Sequence, residues 1–556
     1  MAIIYAILIR EELRPALRLL LVSTSSEIDF MNRTQMLERV QSRQVSWDML
    51  IIGGGATGVG VALDAASRGY DVLLLEQHDF GKGTSSRSTK LVHGGVRYLE
   101  LGNIPLVMEA LKERGLLREN APHLVHDLPF IVPNYDWWEA PFYGMGLKVY
   151  DLLAGKFGFG KSRILSKTEI LDELPTIKQE GLRGGVIYYD GQFDDSRLLI
   201  NLVSTAAEHG ATMLNYAPVT GLTKDEDGYV NGAVLKDLES GKEYTVQAKV
   251  VINATGAFTD NVRRLADPAV QQMIAPSQGI HLVFDRSLMP GSSAIMVPHT
   301  SDGRVMFAIP WHNHVVVGTT DTPIEEATLE PKPFEQEIEF ILETAGKYLS
   351  RPPARSDVLS VFVGIRPLVK AGGAGSTAAL SRDHTIHIDN SGLLTICGGK
   401  WTTYRHMSEE TVDHAITLAK LDERPCITKD LRIHGHREYA PELGHMYVYG
   451  SDADAINQLA EQNEELAQTL DARLPYTKAE LVWACRFEMA RTPEDFLARR
   501  TRALFLDANA ALKMAPEVTK IMAIELQKDA AWATAELAKF QELAKQYLLN
   551  PVEAVS

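Results

Sequence analysis

Cysteine is scarce: Cys397, Cys426 and Cys485 are the three in 556 residues, and they stand too far apart for a CxxC pair. That excludes a disulfide-stapled secreted scaffold and a cysteine-held metal centre, no other metal site is expected, and the spacing fits a reducing compartment. Positive charge is also in deficit, with 56 lysines and arginines against 72 aspartates and glutamates and a net charge of −16. A nucleic-acid binder carries a basic footprint, so nucleic acid is not an expected partner. Long apolar runs are missing too. The nearest, "MAIIYAILIREELRPALRLLLVS", is interrupted by Arg10, Glu11, Glu12, Arg14 and Arg18, whereas a membrane span wants about 18 apolar residues in a row. Nor does it read as a secretory leader, because Met1 to Ile9 carry no positive charge ahead of the apolar stretch. Arg10, Arg14 and Arg18 share one helical face, as in an interfacial helix; the alternative is an upstream start, with Met31 or Met36 beginning the chain proper. Internal repeats and low-complexity linkers are lacking, so a string of independent modules is not expected.

What is present is ordinary in bulk and specific in detail. An apolar content of 45% and a charged content of 23% suit a globular protein, and the length suggests about three to four domains. The stretch "SWDMLIIGGGATGVGVALDAASRGYDVLLLEQHDF" (Ser46 to Phe80) holds the most telling pattern. Met49 to Ile52 reads as a buried parallel strand. Val59, Val61, Ala62, Leu63, Ala65 and Ala66 read as a packed helix that Gly69 ends. Val72 to Leu75 is a second strand, closing on Glu76. Between strand and helix, Gly53, Gly55, Ala56, Thr57 and Gly58 form a turn in which a pyrophosphate can approach the helix N-terminus. Glu76 stands 18 residues after Gly58, near the spacing of about 20 at which an acid bonds the ribose hydroxyls. NAD and FAD use the same turn, so the motif leaves the dinucleotide open.

Further along the pattern changes. Leu198 to Glu208 reads as a helix, Thr212 to Gly232 as strand and turn, and "DEDGYVNG" as a hairpin about Asp227-Gly228. Tyr244 to Gly256 reads as an apolar strand ending in a glycine turn. Gly279 to Val317 alternates apolar and polar residues, as in an antiparallel sheet. After about Arg424 strands become scarce. Glu480 to Met489, Pro493 to Leu506 and Pro516 to Leu548 read as helices, the last two opening with proline near their first turn.

Four more segments bear on the cofactor. "GTSSRSTKLVHGGVRYLE" (Gly83 to Glu100) follows the second strand directly, and its hydroxyls and glycines suit phosphates and a flat ring. Thr84, Ser85, Ser86, Lys90, Leu91, His93, Gly94 and Gly95 are its candidates. "VINATGAFTD" places Ala254 and Gly256 at a strand end, and "GIRPL" sets Arg366 before a turn-forming proline. "GLLTICGGKWTTYRHM" is a strand, a glycine pair and a helix start, offering Gly399, Lys400, Trp401 and Thr402. Its first helical N–H groups would face a flavin pyrimidine, where negative charge develops on reduction.

In this order the segments resemble the FAD-dependent glycerol-3-phosphate dehydrogenase family, within the amino-acid-oxidase-like flavoproteins. The resemblance covers about residues 47 to 510 and is strongest at "IIGGGATG", "GTSSRSTKLVHGGVRYL", "VGIRPL", "SRDH", "GGKWTTYR" and "RFEMARTPEDFLARRTR" (Arg486 to Arg502). The calcium-binding EF-hands of mitochondrial members are missing, and the first 45 residues match nothing in the family.

The resemblance implies an α/β fold, with a Rossmann-like FAD-binding part assembled from separated segments and an inserted antiparallel substrate-binding sheet. The expected division is an N-terminal extension over 1–45, an oxidoreductase unit over 47–425 with substrate parts near 116–195 and 270–375, and a helical C-terminal domain over 426–556. It implies oxidation of sn-glycerol 3-phosphate to dihydroxyacetone phosphate by hydride transfer from C2 to FAD, with electrons passed to a quinone. The enzyme would then attach peripherally to a membrane surface, on the inner face of the cytoplasmic membrane. An oxidase using oxygen and a non-enzymatic FAD-binding regulator are the alternatives, and a homodimer is left open. A phosphate dianion demands cations, arginine above all, and the candidates are Arg97, Arg366, Arg382 and Lys400, with Tyr98 beside the first. The resemblance points to His281, in "SQGIHLVF", as base; a histidine titrates near neutral pH. His93 is its rival, and Arg366 would also polarise the developing alkoxide.

Overall fold

The computed structural model describes residues 31–549, apart from 97, 98, 100, 101, 137, 138, 299, 302 and 371–383. The N-terminal segment with its three-arginine face lies outside the described residues.

Two sheets organise the molecule. The first has the strand order His384–Ile388, Leu394–Gly398, Glu243–Asn253, Trp47–Ile52, Val72–Leu75, Thr212–Leu214. Along this order all neighbours run parallel except the edge strand His384–Ile388. Met49, Leu50, Ile51, Val72, Leu73 and Leu74 are fully buried, as strands packed on both faces must be. Helix Ala56–Ser67 follows the glycine turn, and Gly69, at φ +85°, ends it in the left-handed region. This helix packs on Tyr404–Ala419. At Gly60 a Cβ would come within 2.4 Å of the Ser408 hydroxyl, so the missing side chain sets how closely the two helices approach. The hairpin expected at Asp227-Gly228 joins Val219–Lys224 to Val230–Lys236 and extends from Glu243–Asn253.

The second sheet runs Thr322–Pro323, Ile274–Asp285, His314–Gly318, Met306–Trp311, Ala294–Val297, Val125–Asn134, Gly184–Phe193, Leu91–Val92. Val358–Val369 lies along Ile274–Asp285 as well. The sheet is not antiparallel throughout: Ala294–Val297 runs parallel to Val125–Asn134. A parallel neighbour needs a long crossover, and the chain between them supplies it by passing through the first sheet. Pro367 makes no turn either. It stands opposite Pro276 inside the ladder, so the two missing N–H groups coincide at one rung rather than breaking two.

Two helix expectations also need correction. Pro516 lies inside helix Ala508–Glu525 rather than opening a helix, and the chain breaks before Ala530–Lys545. A mid-helix proline costs about 3 kcal/mol, but Ala511, Met514, Ala515, Val518 and Met522 are buried on one face and carry the helix through. The segment from Pro493 to Leu506 is interrupted at Arg502, whose φ is +65°. Its guanidinium reaches the Ser86 carbonyl at 2.6 Å and Asp195 at 3.2 Å, and these buried contacts outweigh the local preference for a continuous helix.

That arginine belongs to a buried ionic layer between the C-terminal helices and the first sheet. Asp79 accepts two bonds from Arg500, at 2.7 and 2.9 Å, and a further one from Arg499. Arg197 holds Glu488 through both terminal nitrogens, at 3.0 and 2.7 Å. Nearby, His434 bridges Glu208 and Asp452, at 2.8 Å from the latter. Burial works against its charge, yet the two carboxylates raise it to about 10. This lies above the ordinary 6.5, so the bridge contributes fully below pH 6.5 and its contribution fades as the pH rises towards 10. We expect His434→Gln to cost about 1.5–3 kcal/mol, the worth of hydrogen bonds to charged groups. The difference in unfolding midpoint should be largest at pH 6 and close to nothing near pH 10.

Candidate active site

Between the sheets lies a cavity of about 920 Å³, near the top of the ~300–1,000 Å³ range of ligand sites. One end is the glycine turn. Gly53 makes its close approach to the neighbouring strand end, where a Cβ would meet the Ala254 carbonyl at 2.6 Å. Helix Ala56–Ser67 directs its N-terminus at this end, a ready place for a phosphate. Glu76 closes the second strand beside it, accepting from Gly54 N–H at 2.6 Å and His78 N–H at 2.9 Å. Burial pushes its carboxyl above the usual range, against those two bonds.

The middle of the cavity is shaped by the turn Thr84–Ser86. Ser85 Oγ accepts from Ala56 N–H at 2.9 Å, and its carbonyl accepts from Trp401 Nε1 at 2.8 Å. Thr84 donates to the Ile365 carbonyl at 2.5 Å. The Ser86 carbonyl receives Lys90 Nζ at 2.8 Å as well as Arg502. Four separate parts of the chain thus meet on three residues.

The far wall is the second sheet, which presents His281 and Arg366. His281 Nε2 is 3.0 Å from the Thr89 hydroxyl, and its ring stacks on Phe362 at 4.8 Å. Nδ1 has no hydrogen-bond partner among the described residues. Burial holds the imidazole well below its usual range, helped by the charges of Lys90 and Arg366, so it is neutral at working pH. Arg366 donates to the Thr320 carbonyl at 2.9 Å and to Asp321 at 3.2 Å. Two glycines make room for these side chains. A Cβ on Gly318 would lie 2.4 Å from His281 Cδ2, and one on Gly279 would lie 2.6 Å from Arg366 Nη2.

Of the residues expected at the site, the cavity is lined by Gly53, Gly55, Ala56, Thr57, Glu76, Thr84, Ser85, Leu91, His93, Gly95, Ala254, Gly256, Gly399, Lys400, Trp401 and Thr402, with His281 and Arg366. Gly58, Ser86, Lys90 and Gly94 do not line it. Gly58 serves the turn itself, since a Cβ there would meet the Gly53 carbonyl at 1.9 Å. Lys90 turns away to a wholly buried pair with Asp195 at 2.7 Å, and burial lowers its ammonium to about 7 against the pull of that carboxylate. Gly94 N–H is taken by the Tyr150 hydroxyl at 2.8 Å. Arg97, Tyr98 and Arg382 lie outside the described residues. Sequence reasoning passed over Arg304, Phe307, Thr89 and Asp321, which also line the cavity. "GRVMF" and "GTTD" carried the only signal, a cation after a glycine turn and an acid at a strand end.

Residues 48–405 match the family model described as FAD dependent oxidoreductase, and 394–533 match the C-terminal domain of alpha-glycerophosphate oxidase. The chain belongs to the FAD-dependent oxidoreductase family. It is 42% identical over 543 residues to a mitochondrial glycerol-3-phosphate dehydrogenase of Arabidopsis thaliana, covering 90% of this chain and 86% of that one. With the mitochondrial glycerol-3-phosphate dehydrogenase of Mesocricetus auratus the identity is 42%, over 88% of this chain and 72% of the other. Among solved structures, the glycerol-3-phosphate dehydrogenase of Bacillus halodurans complexed with FAD superposes with a TM-score of 0.77 at 30% identity, covering 95% and 100% of the two chains.

FAD is the cofactor, and the residues fit it. The glycine cradle, the helix N-terminus, Glu76 and the Lys400–Thr402 segment all open on one cavity. Purified protein should be yellow, and acid denaturation should leave FAD in the supernatant. At Gly55 a Cβ already stands 3.1 Å from Ser85 Oγ, so Gly55→Val should fill the approach to the helix and yield a folded, colourless protein. The ratio of flavin to protein absorbance, with circular dichroism as a folding control, reads this out.

Proposed function

We propose that the chain oxidises sn-glycerol 3-phosphate to dihydroxyacetone phosphate and passes the electrons to a membrane quinone. Bound FAD supplies the redox chemistry, taking the hydride from C2 and handing the electrons on. One observation carries the reading: Arg366, Lys400 and Arg304 line the same cavity as a buried, neutral histidine on the wall facing the cofactor turn. Fixed cations suit a phosphate dianion, and Arg366 is oriented for it by its bonds to Thr320 and Asp321. His281 is the base. It accepts the C2 hydroxyl proton at Nε2, directly or through the Thr89 hydroxyl 3.0 Å away. A bound dianion favours the protonated imidazole and offsets part of the depression that burial causes. In this reading Arg366 also steadies the negative charge growing on the C2 oxygen.

The same reading divides the chain into an oxidoreductase unit over 47–425, its substrate parts near 116–195 and 270–375, and a helical unit over 426–556. Among the described residues no helix is long and apolar enough to cross a membrane. We read contact with a quinone as peripheral, at the inner face of a cytoplasmic membrane.

Arg366→Ala should weaken substrate binding by about 2–5 kcal/mol, as when a buried charge pair loses one member. That cuts kcat/KM for glycerol 3-phosphate well over tenfold, while glycerol, which never used the partner, loses much less. Equal losses on both substrates would assign Arg366 to the cofactor or the hydride step instead. His281→Asn should lower kcat about 10²–10⁴-fold, the usual worth of a general base, at unchanged FAD content. An oxygen electrode, with and without a soluble quinone analogue, tests the acceptor: oxygen uptake that matches substrate consumption would sink the quinone reading.

A further inference from the structure

His281 is 3% exposed, and its ring has little room to turn. Phe362, opposite it on the adjoining strand, stacks on the imidazole with the two planes 13° apart. On the other neighbouring strand Gly318 leaves just the space the ring fills, since a Cβ there would lie 2.4 Å from Cδ2. Nε2 is thereby kept on the Thr89 hydroxyl, 3.0 Å away. Thr89 is half-buried and lines the cavity, and its hydroxyl has no other partner among the described residues. A hydroxyl donates once and accepts twice, so this one can serve Nε2 and a bound alcohol together.

The residues on either side of Thr89 are fastened to one carboxylate. Asp195 Oδ2 accepts from Ser88 N–H at 3.1 Å, from the Ser88 hydroxyl at 2.7 Å and from Lys90 Nζ at 2.7 Å. Ser88 Oγ in turn accepts from Lys90 N–H at 3.0 Å. Lys90 stands at φ +66°, in the left-handed region that side-chain-bearing residues rarely enter, and these bonds sustain it there. Asp195 itself is fixed, because it lies in the first turn of helix Asp195–Glu208 and its second oxygen is 3.2 Å from Arg502. Residues 88 and 90 are thus pinned from behind, with Thr89 between them at the cavity.

We propose that Thr89 relays the substrate proton to His281, and that Asp195 and Lys90 are the residues that position it. The inference deepens the reading of His281 as base and rests on it. The C2 O–H bond breaks as its proton passes to Thr89 Oγ, and the proton that Thr89 carried passes to His281 Nε2. Thr89 gains one proton and loses one, so it ends as it began. The electron pair left on the C2 oxygen closes the carbonyl as the hydride departs in the oxidation described above. Nε2 must offer a lone pair at the start, so the resting imidazole carries its proton on Nδ1, which has no hydrogen-bond partner among the described residues.

The test is anaerobic rapid mixing of the FAD-loaded, full-length protein with glycerol 3-phosphate, following the bleaching of the flavin. Flavin content and circular dichroism serve as controls for every variant. Thr89→Val keeps the shape and removes the hydroxyl. It should slow bleaching at saturating substrate by about 10²-fold, the low end for proton transfer by a positioned group. The half-saturating concentration should stay within about threefold, the mark of a group used in the transition state and not in ground-state binding. Thr89→Ser, which restores the hydroxyl, should recover to within about fivefold of wild type. Combining Thr89→Val with His281→Asn should cost no more than His281→Asn alone, because both act in one step. In mixtures of light and heavy water, the wild-type rate plotted against deuterium fraction should bow, as two protons in flight require. Thr89→Val should straighten that plot. Asp195→Asn should slow bleaching by about tenfold and keep the bow, since the relay is then present but less well held. Wild-type speed in Thr89→Val, no recovery in Thr89→Ser, or a straight or flat plot in the wild type each overturns the relay. Wild-type speed in Asp195→Asn overturns the positioning role. Wild-type speed in His281→Asn would instead strike the base assignment itself, a result separable from failure of the relay.

Discussion

The turn Thr84–Ser86 is held at one point by groups that have no sequence neighbourhood in common. Ser85 accepts from the first N–H of the helix that follows the glycine turn, Thr84 bonds the strand carrying Arg366, and Trp401 bonds the Ser85 carbonyl. Arg502 enters from the C-terminal helices to reach Ser86. Because three residues receive all four, the glycine turn, the wall that carries His281 and Arg366, and the Lys400 segment keep a fixed mutual geometry around the cavity. A shift of any one would move the others, and a near-attack arrangement tolerates little such movement.

The means of fixing it is costly. Asp79, Asp195, Glu488, Arg197, Arg499, Arg500 and Arg502 are all nearly or wholly buried. Well-packed apolar residues of the same shape often equal or exceed such pairs in stability, by about 1–4 kcal/mol. What the ions contribute is register. A guanidinium fork fixes direction as well as distance, so the C-terminal helices can seat in one position only. The same burial acts on function, since Lys90 and Arg366 sit close enough to His281 to help hold its imidazole neutral.

Space is managed as tightly as charge. Gly279 and Gly318 lie on adjoining strands, and each leaves the volume that Arg366 or His281 occupies. Gly364 does the same at the turn, where a Cβ would meet the Arg87 carbonyl at 2.8 Å. In a ladder with strands about 4.8 Å apart, replacing a single hydrogen by a methyl group is enough to displace a functional side chain.

Local patterns written along one stretch of chain were legible in the sequence. The glycine turn with Glu76, the strand at Val72–Leu75 and the hairpin at Asp227-Gly228 depend on neighbours a few residues away, so periodicity and turn chemistry determined them. The same patterns marked most of the glycines and short side chains that line the cavity. What the tertiary structure decided was the direction of long charged side chains and the fate of prolines. Lys90 and Arg502 carry charges whose destinations, Asp195 and Ser86, lie 105 and 416 residues away, and no local rule names a partner at that range. Pro367 and Pro516 look like breakers, but a facing proline and a buried helix face absorb them. Arg304, Thr89 and Asp321 reach the site because strands distant in sequence are neighbours in the sheet. A sequence sets which groups exist and which local shapes they favour; only packing, through burial and long-range pairing, sets which of them face the cavity.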